Sequence, residues 1–374
     1  MKDRGRPTLL PETLMKKTID TITALRLKGA PVTSSVINAV AKGIVQANDR
    51  SLLVENGGHL TLSNDWARKV LYRMDILGRK MTRRIATTAR IPVAPALIAE
   101  TKFDFQRKIR QLQSLHSIPN DLIINFDQTP LPYVVTGNST LHEKGAQSVP
   151  LQGKGKKKQI TGTFAVSMTG DFLPMQLIYE GKTPRCLPRD VEFPMEFDVT
   201  FTPNHWSNEE KCIQLLNKVI FPYLKKKKHD LDLPEDQKSL LIYDVFTGQT
   251  TENVKECIER NDCVIVYVPN NMTHYFQPLD ITVNAVAKNF LKNKFELWYA
   301  NEVKKQLDEG IEVFAIDIPL KLSVLKPIHG RWLLGLYDHL RNSKEIIMSG
   351  FESAGITEAV TQELPDEDPF ADLD

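Results

Sequence analysis

Three aspartates stand where carboxylates could do chemistry. Asp127 follows the apolar run Leu122, Ile123, Ile124 and Phe126, and Asp244 follows Leu240, Leu241, Ile242 and Tyr243. Asp280 closes the segment THYFQPLD, just ahead of a long helical pattern. Short continuous apolar runs bounded by turn residues read as buried strands, so the first two carboxylates are expected at strand C-terminal ends. Parallel strands in one sheet would bring them close, and a helix packed across that sheet would bring in the third. Such a cluster holds two divalent cations on oxygen ligands. Two cations ~3.5–4 Å apart activate a water or a 3′-hydroxyl and stabilise the leaving oxygen of an in-line phosphoryl displacement. The charge itself calls for metal, because unpaired carboxylates sharing a pocket repel and raise one another's pKa. The plainer alternative is that each Asp caps a turn at a strand end.

The surrounding pattern supplies the elements such a site needs. Ile160 to Met168 and Phe172 to Tyr179 read as two β runs joined by Thr169-Gly170-Asp171, a hairpin signal. Residues 207–224 are predicted helical and finish in Lys225 to Lys228, and a helix over Thr251 to Arg260 followed by a strand over Cys263 to Val268 completes a β–α–β unit with Leu240 to Asp244. A long helix is expected from Ile281 to Glu309. Upstream, helical periodicity dominates: Leu14, Ile19, Ile22, Leu25 and Leu27 mark one helix, and Val32 to Val45 a second, opened by Thr33 and Ser34 after the break Gly29-Ala30-Pro31. A third follows the capping residues Ser63, Asn64 and Asp65 through Trp66, Val70, Leu71 and Met74, with Arg68, Lys69 and Arg73 on its other face. Gly78 is expected to end it, ahead of Arg79, Lys80, Arg83 and Arg84. Short helices with basic side chains on the last of them suit a helix-turn-helix that seats one helix in the major groove. IPVAPALI at residues 91–98 is expected to end this module, before a connecting helix from Ala99 to Leu115.

Composition bounds the possibilities. At 374 residues the chain is long enough for two or three domains, and 41% hydrophobic with 25% charged residues is an ordinary globular balance, not a disordered polymer. No apolar run approaches the ~20 residues that span a bilayer, and Met1-Lys2-Asp3-Arg4 opens no signal-peptide pattern, so no membrane role is expected. Cys186, Cys212, Cys257 and Cys263 match neither a zinc site nor a redox pair. Residues 1–90 hold 17 Lys/Arg against 7 Asp/Glu; with +2 for the whole chain, their +10 leaves −8 for the rest. A positive N-terminal region attracts a polyanion such as DNA by counterion release, or is a solvated face. The same pair of readings stands for GKGKKK (Gly153 to Lys158) and for Lys225 to Lys228.

NFDQT (Asn125 to Thr129), LLIYD (Leu240 to Asp244) and THYFQPLD (Thr273 to Asp280) resemble the three catalytic blocks of the pogo/Tigger-type DDE superfamily endonucleases, within the Tc1/mariner transposases. The region around RGRP (Arg4 to Pro7) and SNDWARKVLYRMDI (Ser63 to Ile76) resembles a centromere protein B-type helix-turn-helix domain, and HGRWLLGLYDHL with GFESAGI the family's C-terminal helical segment. The resemblance implies a multidomain chain: an all-α helix-turn-helix DNA-binding domain over residues 1–95, a connecting helix over 96–120, an α/β RNase H-like nuclease domain over 121–310, a helical segment over 311–360 and an acidic tail over 361–374. It implies Asp127, Asp244 and Asp280 as ligands of Mg²⁺ or Mn²⁺, with His274 and Gln277 orienting a carboxylate or touching DNA. It implies Arg4, Arg6, Arg68, Lys69, Arg73, Arg79, Lys80, Arg83 and Arg84 as DNA contacts, RGRP in the style of a minor-groove hook. Double-stranded DNA, a homo-oligomer on DNA ends and a nuclear location go with it. Two features depart from the pattern: family members usually carry a further helix-turn-helix ahead of this one, and the second Asp is commonly followed by Asn-Ala, where this chain has Val245-Phe246. A domesticated DNA-binding protein that cuts nothing is the competing expectation.

Overall fold

A computed structural model describes residues 9–27, 32–73, 76–80, 95–135, 139–143, 158–246, 248–270, 272–312 and 315–361. In chain order the elements are α1 (Glu12–Leu27), α2 (Ser34–Asp49), α3 (Asn64–Arg73), β1 (Ile76–Lys80), α4 (Pro95–Leu115), β2 (Ile123–Pro132), β3 (Ser139–Glu143), β4 (Gln159–Ser167), β5 (Gln176–Glu180), β6 (Asp198–Thr202), α5 (Glu209–Leu215), α6 (Phe221–Asp230), β7 (Ser239–Asp244), α7 (Glu252–Glu259), β8 (Cys263–Val268), α8 (Thr273–Phe276), α9 (Asn284–Asp308), α10 (Leu322–Arg341), α11 (Lys344–Ser353) and α12 (Ile356–Thr361). They fall into two compact units: Met1–Thr87 with Val134–Lys157 and Leu291–Val324, and Thr88–Tyr133 with Lys158–Phe290 and Leu325–Asp374. Among the described residues no helix is long and apolar enough to cross a membrane.

In the first unit the Thr33 hydroxyl caps α2 by accepting from the Val36 N–H, and the Ser63 hydroxyl accepts from the Trp66 N–H at the start of α3. The apolar faces bury Leu14, Ile22, Ile37, Val40, Ala67 and Val70. Gly43 permits the close approach of α2 to α9, since a Cβ there would stand 2.8 Å from the Cγ of Lys304. Two expectations are corrected. α3 ends at Arg73, and Gly78 lies inside β1, which pairs antiparallel with β3 from Ile76↔Glu143 to Lys80↔Ser139. The region expected to be all-α therefore carries a strand, because its pairing partner lies some sixty residues downstream where no local period reports it. Arg4, Arg6, Arg83, Arg84, the break at Gly29-Ala30-Pro31, residues 153–157 and the acidic tail from Glu363 lie outside the described residues.

The second unit is built on a six-stranded mixed sheet in the order β6-β5-β4-β2-β7-β8. β2, β4 and β5 run antiparallel in turn, while β7 and β8 run parallel to β2. Helices accompany this sheet, giving the mixed α/β architecture implied by the resemblance. The expected hairpin turn is present, with Gly170 at φ +93°. β6, parallel to β5, escaped the sequence pattern for a physical reason: its inward positions are the polar Asp198, Thr200 and Thr202, so the hydrophobic alternation is inverted. Asp198 is satisfied by the side-chain amides of Gln176 and Gln214, both at 2.7 Å. Asp127 does not end its strand. Pairing of β2 with β7 stops at Asn125↔Ile242, but pairing with β4 continues to Pro132↔Gln159. The helix over 207–224 extends to Asp230 through a π turn, Leu216–Ile220. The connecting helix α4 starts at Pro95 and docks on the C-terminal segment: Gln106 donates to the Gly355 carbonyl (2.7 Å) and Arg110 to that of Ala359 (3.0 Å).

A buried amide network joins the third acidic block to the sheet. The Asn125 Nδ2 donates to the Ile242 carbonyl (2.8 Å) and to Gln277 Oε1 (3.1 Å), and its Oδ1 accepts from the Leu279 N–H (3.2 Å). Gln277 Nε2 donates to the Phe126 carbonyl (3.3 Å), and both side chains are fully buried. From the other side α11 presses on the same turn, where a Cβ on Gly350 would meet Thr282 Oγ1 at 2.8 Å and the Pro278 carbonyl at 2.9 Å. Replacing Gln277 with Met orphans buried partners and is expected to cost about 1–3 kcal/mol in urea unfolding. The double variant with Asn125→Leu should lose at least ~0.5 kcal/mol less than the sum of the singles; additive losses would refute the coupling.

His329 in α10 is fully buried, edge-on to Tyr133 (centroids 4.9 Å), and neither ring nitrogen has a hydrogen-bond partner among the described residues. Burial pulls its pKa down from 6.5 to about 3. The unfolded chain binds the extra proton, so this stability is present above pH 6.5 and is lost as pH falls, by about 2 kcal/mol at pH 5. Thermal melts of His329→Leu between pH 7 and 5 should fall less steeply than wild type.

Candidate metal centre

The register of β2 and β7 explains how two of the acids meet. Asn125 pairs with Ile242, and two residues further along each strand stand Asp127 and Asp244, on the same face as that pair because side chains alternate. Asp244 ends β7, where its Oδ1 accepts from the Val245 N–H at 2.7 Å. Asp280 arrives by a different route. Pro278 opens a π turn, Leu279–Val283, which runs directly into α9, so Asp280 lies within a wide helical turn rather than before the helix. Single π turns of this kind recur at functional sites. Asn284 is one turn further along, and its Nδ2 donates to both Asp280 Oδ1 (2.9 Å) and Asp127 Oδ2 (3.3 Å).

The electrostatics follow from this crowding. Asp127 is pushed up to about 7, first by burial, then by the negative charge of Asp280; the N–H groups of Gln128 and Asn284 oppose the rise, and Asp244 adds a smaller push. The Asp244 carboxyl is also raised, by burial and by Asp280, against the Val245 N–H. Asp280 itself is exposed. Among the described residues, no three His, Cys, Asp or Glu side chains have drawn into one metal-ligating group. The donors nevertheless fit a hard divalent cation. They are all oxygen, two share one neutral donor, and the Asn284 Oδ1 is buried beside them without a partner among the described residues.

The remaining candidates are placed as follows. Gln277 is buried in the amide network, whereas His274 is exposed, with its ring tilted 43° to that of Tyr275 at a centroid distance of 3.9 Å. Arg68 and Lys69 are exposed on α3, with Arg68 paired to Asp65 at 2.8 Å. Arg73 closes α3, and Arg79 and Lys80 lie in β1. Of the lysine run, Lys227 is tied to Asp171 (2.7 Å) and Lys228 to the Glu235 carbonyl (2.9 Å), while Lys225 and Lys226 are exposed. Two residues of the site escaped sequence reasoning. Asn125 sits within NFDQT but carries no charge to draw attention, and Asn284 was detectable only as the i+4 neighbour of Asp280 on a helical face.

The DDE superfamily endonuclease family matches residues 157–322, a span that includes Asp244 and Asp280. The human protein "Pogo transposable element with KRAB domain" is 24% identical over 278 residues, covering 73% of this chain and 42% of that protein, and its mouse counterpart is 23% identical over the same length. The chain thus spans about two fifths of the length of these relatives. Among solved structures, the Mos1 transposase paired-end complex with left transposon end is 12% identical, with a TM-score of 0.38, covering 93% of this chain and 81% of that one. Residues 157–322 match the DDE superfamily endonuclease family, and the chain is similar to pogo transposable element proteins.

Proposed function

We propose that this chain is a metal-dependent DNA endonuclease of transposase descent, in which Asp127, Asp244 and Asp280 hold Mg²⁺ or Mn²⁺ for phosphodiester cleavage and strand transfer. One observation carries the reading: Asp127 and Asp280 share the amide of Asn284, with Asp244 in register beside Asp127. When bound, the cations supply an activated nucleophile and charge stabilisation at the leaving oxygen. The chain's own part is to hold the carboxylates. The Asn125–Gln277 network sets the depth of the third block, and the Val245 N–H orients Asp244. Asp127 keeps its proton until about pH 7 and so limits the charge in the empty pocket.

Double-stranded DNA is the partner this reading requires, with a nuclear location and a homo-oligomer on DNA ends. The basic N-terminal region serves as a helix-turn-helix of the centromere protein B type. Arg68 and Lys69 on α3, with Arg4, Arg6, Arg73, Arg79, Lys80, Arg83 and Arg84, are its candidate contacts. Phosphate neutralisation by such residues makes binding fall steeply with salt.

The test is nicking of a DNA duplex in Mg²⁺ or Mn²⁺. Asp244→Asn removes one ligand charge at nearly constant volume and should lower the rate at least roughly 100-fold, beyond the loss typical of outer-shell partners. Salt-sensitive DNA binding without cleavage by either protein would instead make the chain a domesticated binder. A second measurement follows from Asp127. A cation must displace its proton below about pH 7, so Mn²⁺ affinity measured by calorimetry should rise between about pH 6 and 8, at most about tenfold per unit. In Asp127→Asn that dependence should vanish together with most of the affinity.

A further inference from the structure

We infer that Asn284 is a metal ligand as well as a spacer, its amide turning over when the cation arrives so that Oδ1 replaces Nδ2 between Asp127 and Asp280. The inference rests on the metal-centre reading above. Asn284 is 3% exposed, and its two amide atoms are treated unequally. Nδ2 serves two carboxylates at 2.9 and 3.3 Å, while Oδ1 is buried with no partner among the described residues. Rotation about χ2 exchanges two atoms of nearly equal size, so the cavity that accepts one orientation accepts the other. Either orientation leaves one amide atom unpaired, and the charge between the carboxylates therefore decides between them.

Without a cation and with both carboxylates ionised, an oxygen facing Asp127 and Asp280 would meet only lone pairs, and the N–H must face them. With a divalent cation seated there, an N–H would point at positive charge, and the carbonyl oxygen is the favourable group. Asparagine carbonyls are ordinary ligands of hard cations. A neutral fourth oxygen also adds a ligand without adding charge to the empty pocket. Asn284 is one helical turn from Asp280, so the π turn that sets Asp280 sets this group with it.

The test is calorimetric titration of the full chain with MnCl₂ near pH 8, where Asp127 is ionised, alongside thermal melts in EDTA and in Mn²⁺. Asn284→Ala should weaken Mn²⁺ binding about tenfold or more. Asn284→Asp keeps a ligand oxygen but loses the N–H, so it should melt below wild type in EDTA and show a larger Mn²⁺-induced rise in Tm. Wild-type affinity in Asn284→Ala would reduce the residue to a spacer and overturn the inference. Should Asn284→Ala not fold, a Mn²⁺-induced rise in Asn284→Asp no larger than that of wild type would do the same. Absence of Mn²⁺ binding by wild type would overturn the metal-centre reading too, which separates the two failures.

Discussion

The amide of Asn125 ties together segments that are 117 and more than 150 residues apart in the chain, through the Ile242 carbonyl, the Gln277 side chain and the Leu279 N–H. In a fully buried setting such bonds are geometrically strict, because a misplaced partner leaves an unsatisfied polar group in low dielectric. The third acidic block therefore cannot slide along the sheet. Asp280 stands one residue beyond Leu279, and Asp127 two beyond Asn125, so one side chain sets the spacing of both acids. Gly350 closes the other side of the turn, since any larger residue would press on the Pro278 carbonyl. The C-terminal helices are in this sense part of the site.

Holding carboxylates this way has an electrostatic cost, and the chain meets it with neutral donors. Asn284 bridges two acids, the Val245 N–H serves the third, and Asp127 retains a proton up to about 7. Among the described residues, no lysine or arginine is among the groups that set the pKa of Asp127 or Asp244. A resident basic side chain would neutralise the pocket permanently and compete with an incoming cation, whereas an amide yields. The contrast lies within the same unit, where Asp171 is bound by Lys227 and Lys344 and its pKa is lowered. That aspartate joins the loop after β4 to α6 and α11. The two carboxylates differ in what faces them, lysine ammonium groups at Asp171 and further carboxylates at Asp127.

The first unit is organised by ordinary helix physics, with capped starts at Thr33 and Ser63 and one buried face per helix. Its ribbon of β1 and β3 is different in kind. Glycine within LGRK offers little strand propensity, and the pairing exists only because residues 139–143 return to it. Arg79 and Lys80 are consequently carried by a strand, while Arg68 and Lys69 are carried by a helix, so these basic residues present themselves on two kinds of backbone.

Local periodicity by itself determined much of this protein. The apolar runs before Asp127 and Asp244 read as buried strands, Thr169-Gly170-Asp171 as a turn, and the helices α1 to α3 followed from their spacing and caps. The three acidic blocks were legible because charged residues beside apolar runs are conspicuous. What the tertiary structure alone decided is where nonlocal partners meet. β6 stayed hidden because its inward side chains are polar, and β1 because its partner is distant. Asp127 continues mid-strand because β4 pairs past the point where β7 stops. Asn125 and Asn284 acquire their roles from atoms over 100 residues away, and an uncharged amide declares no such partner until the chain has folded around it.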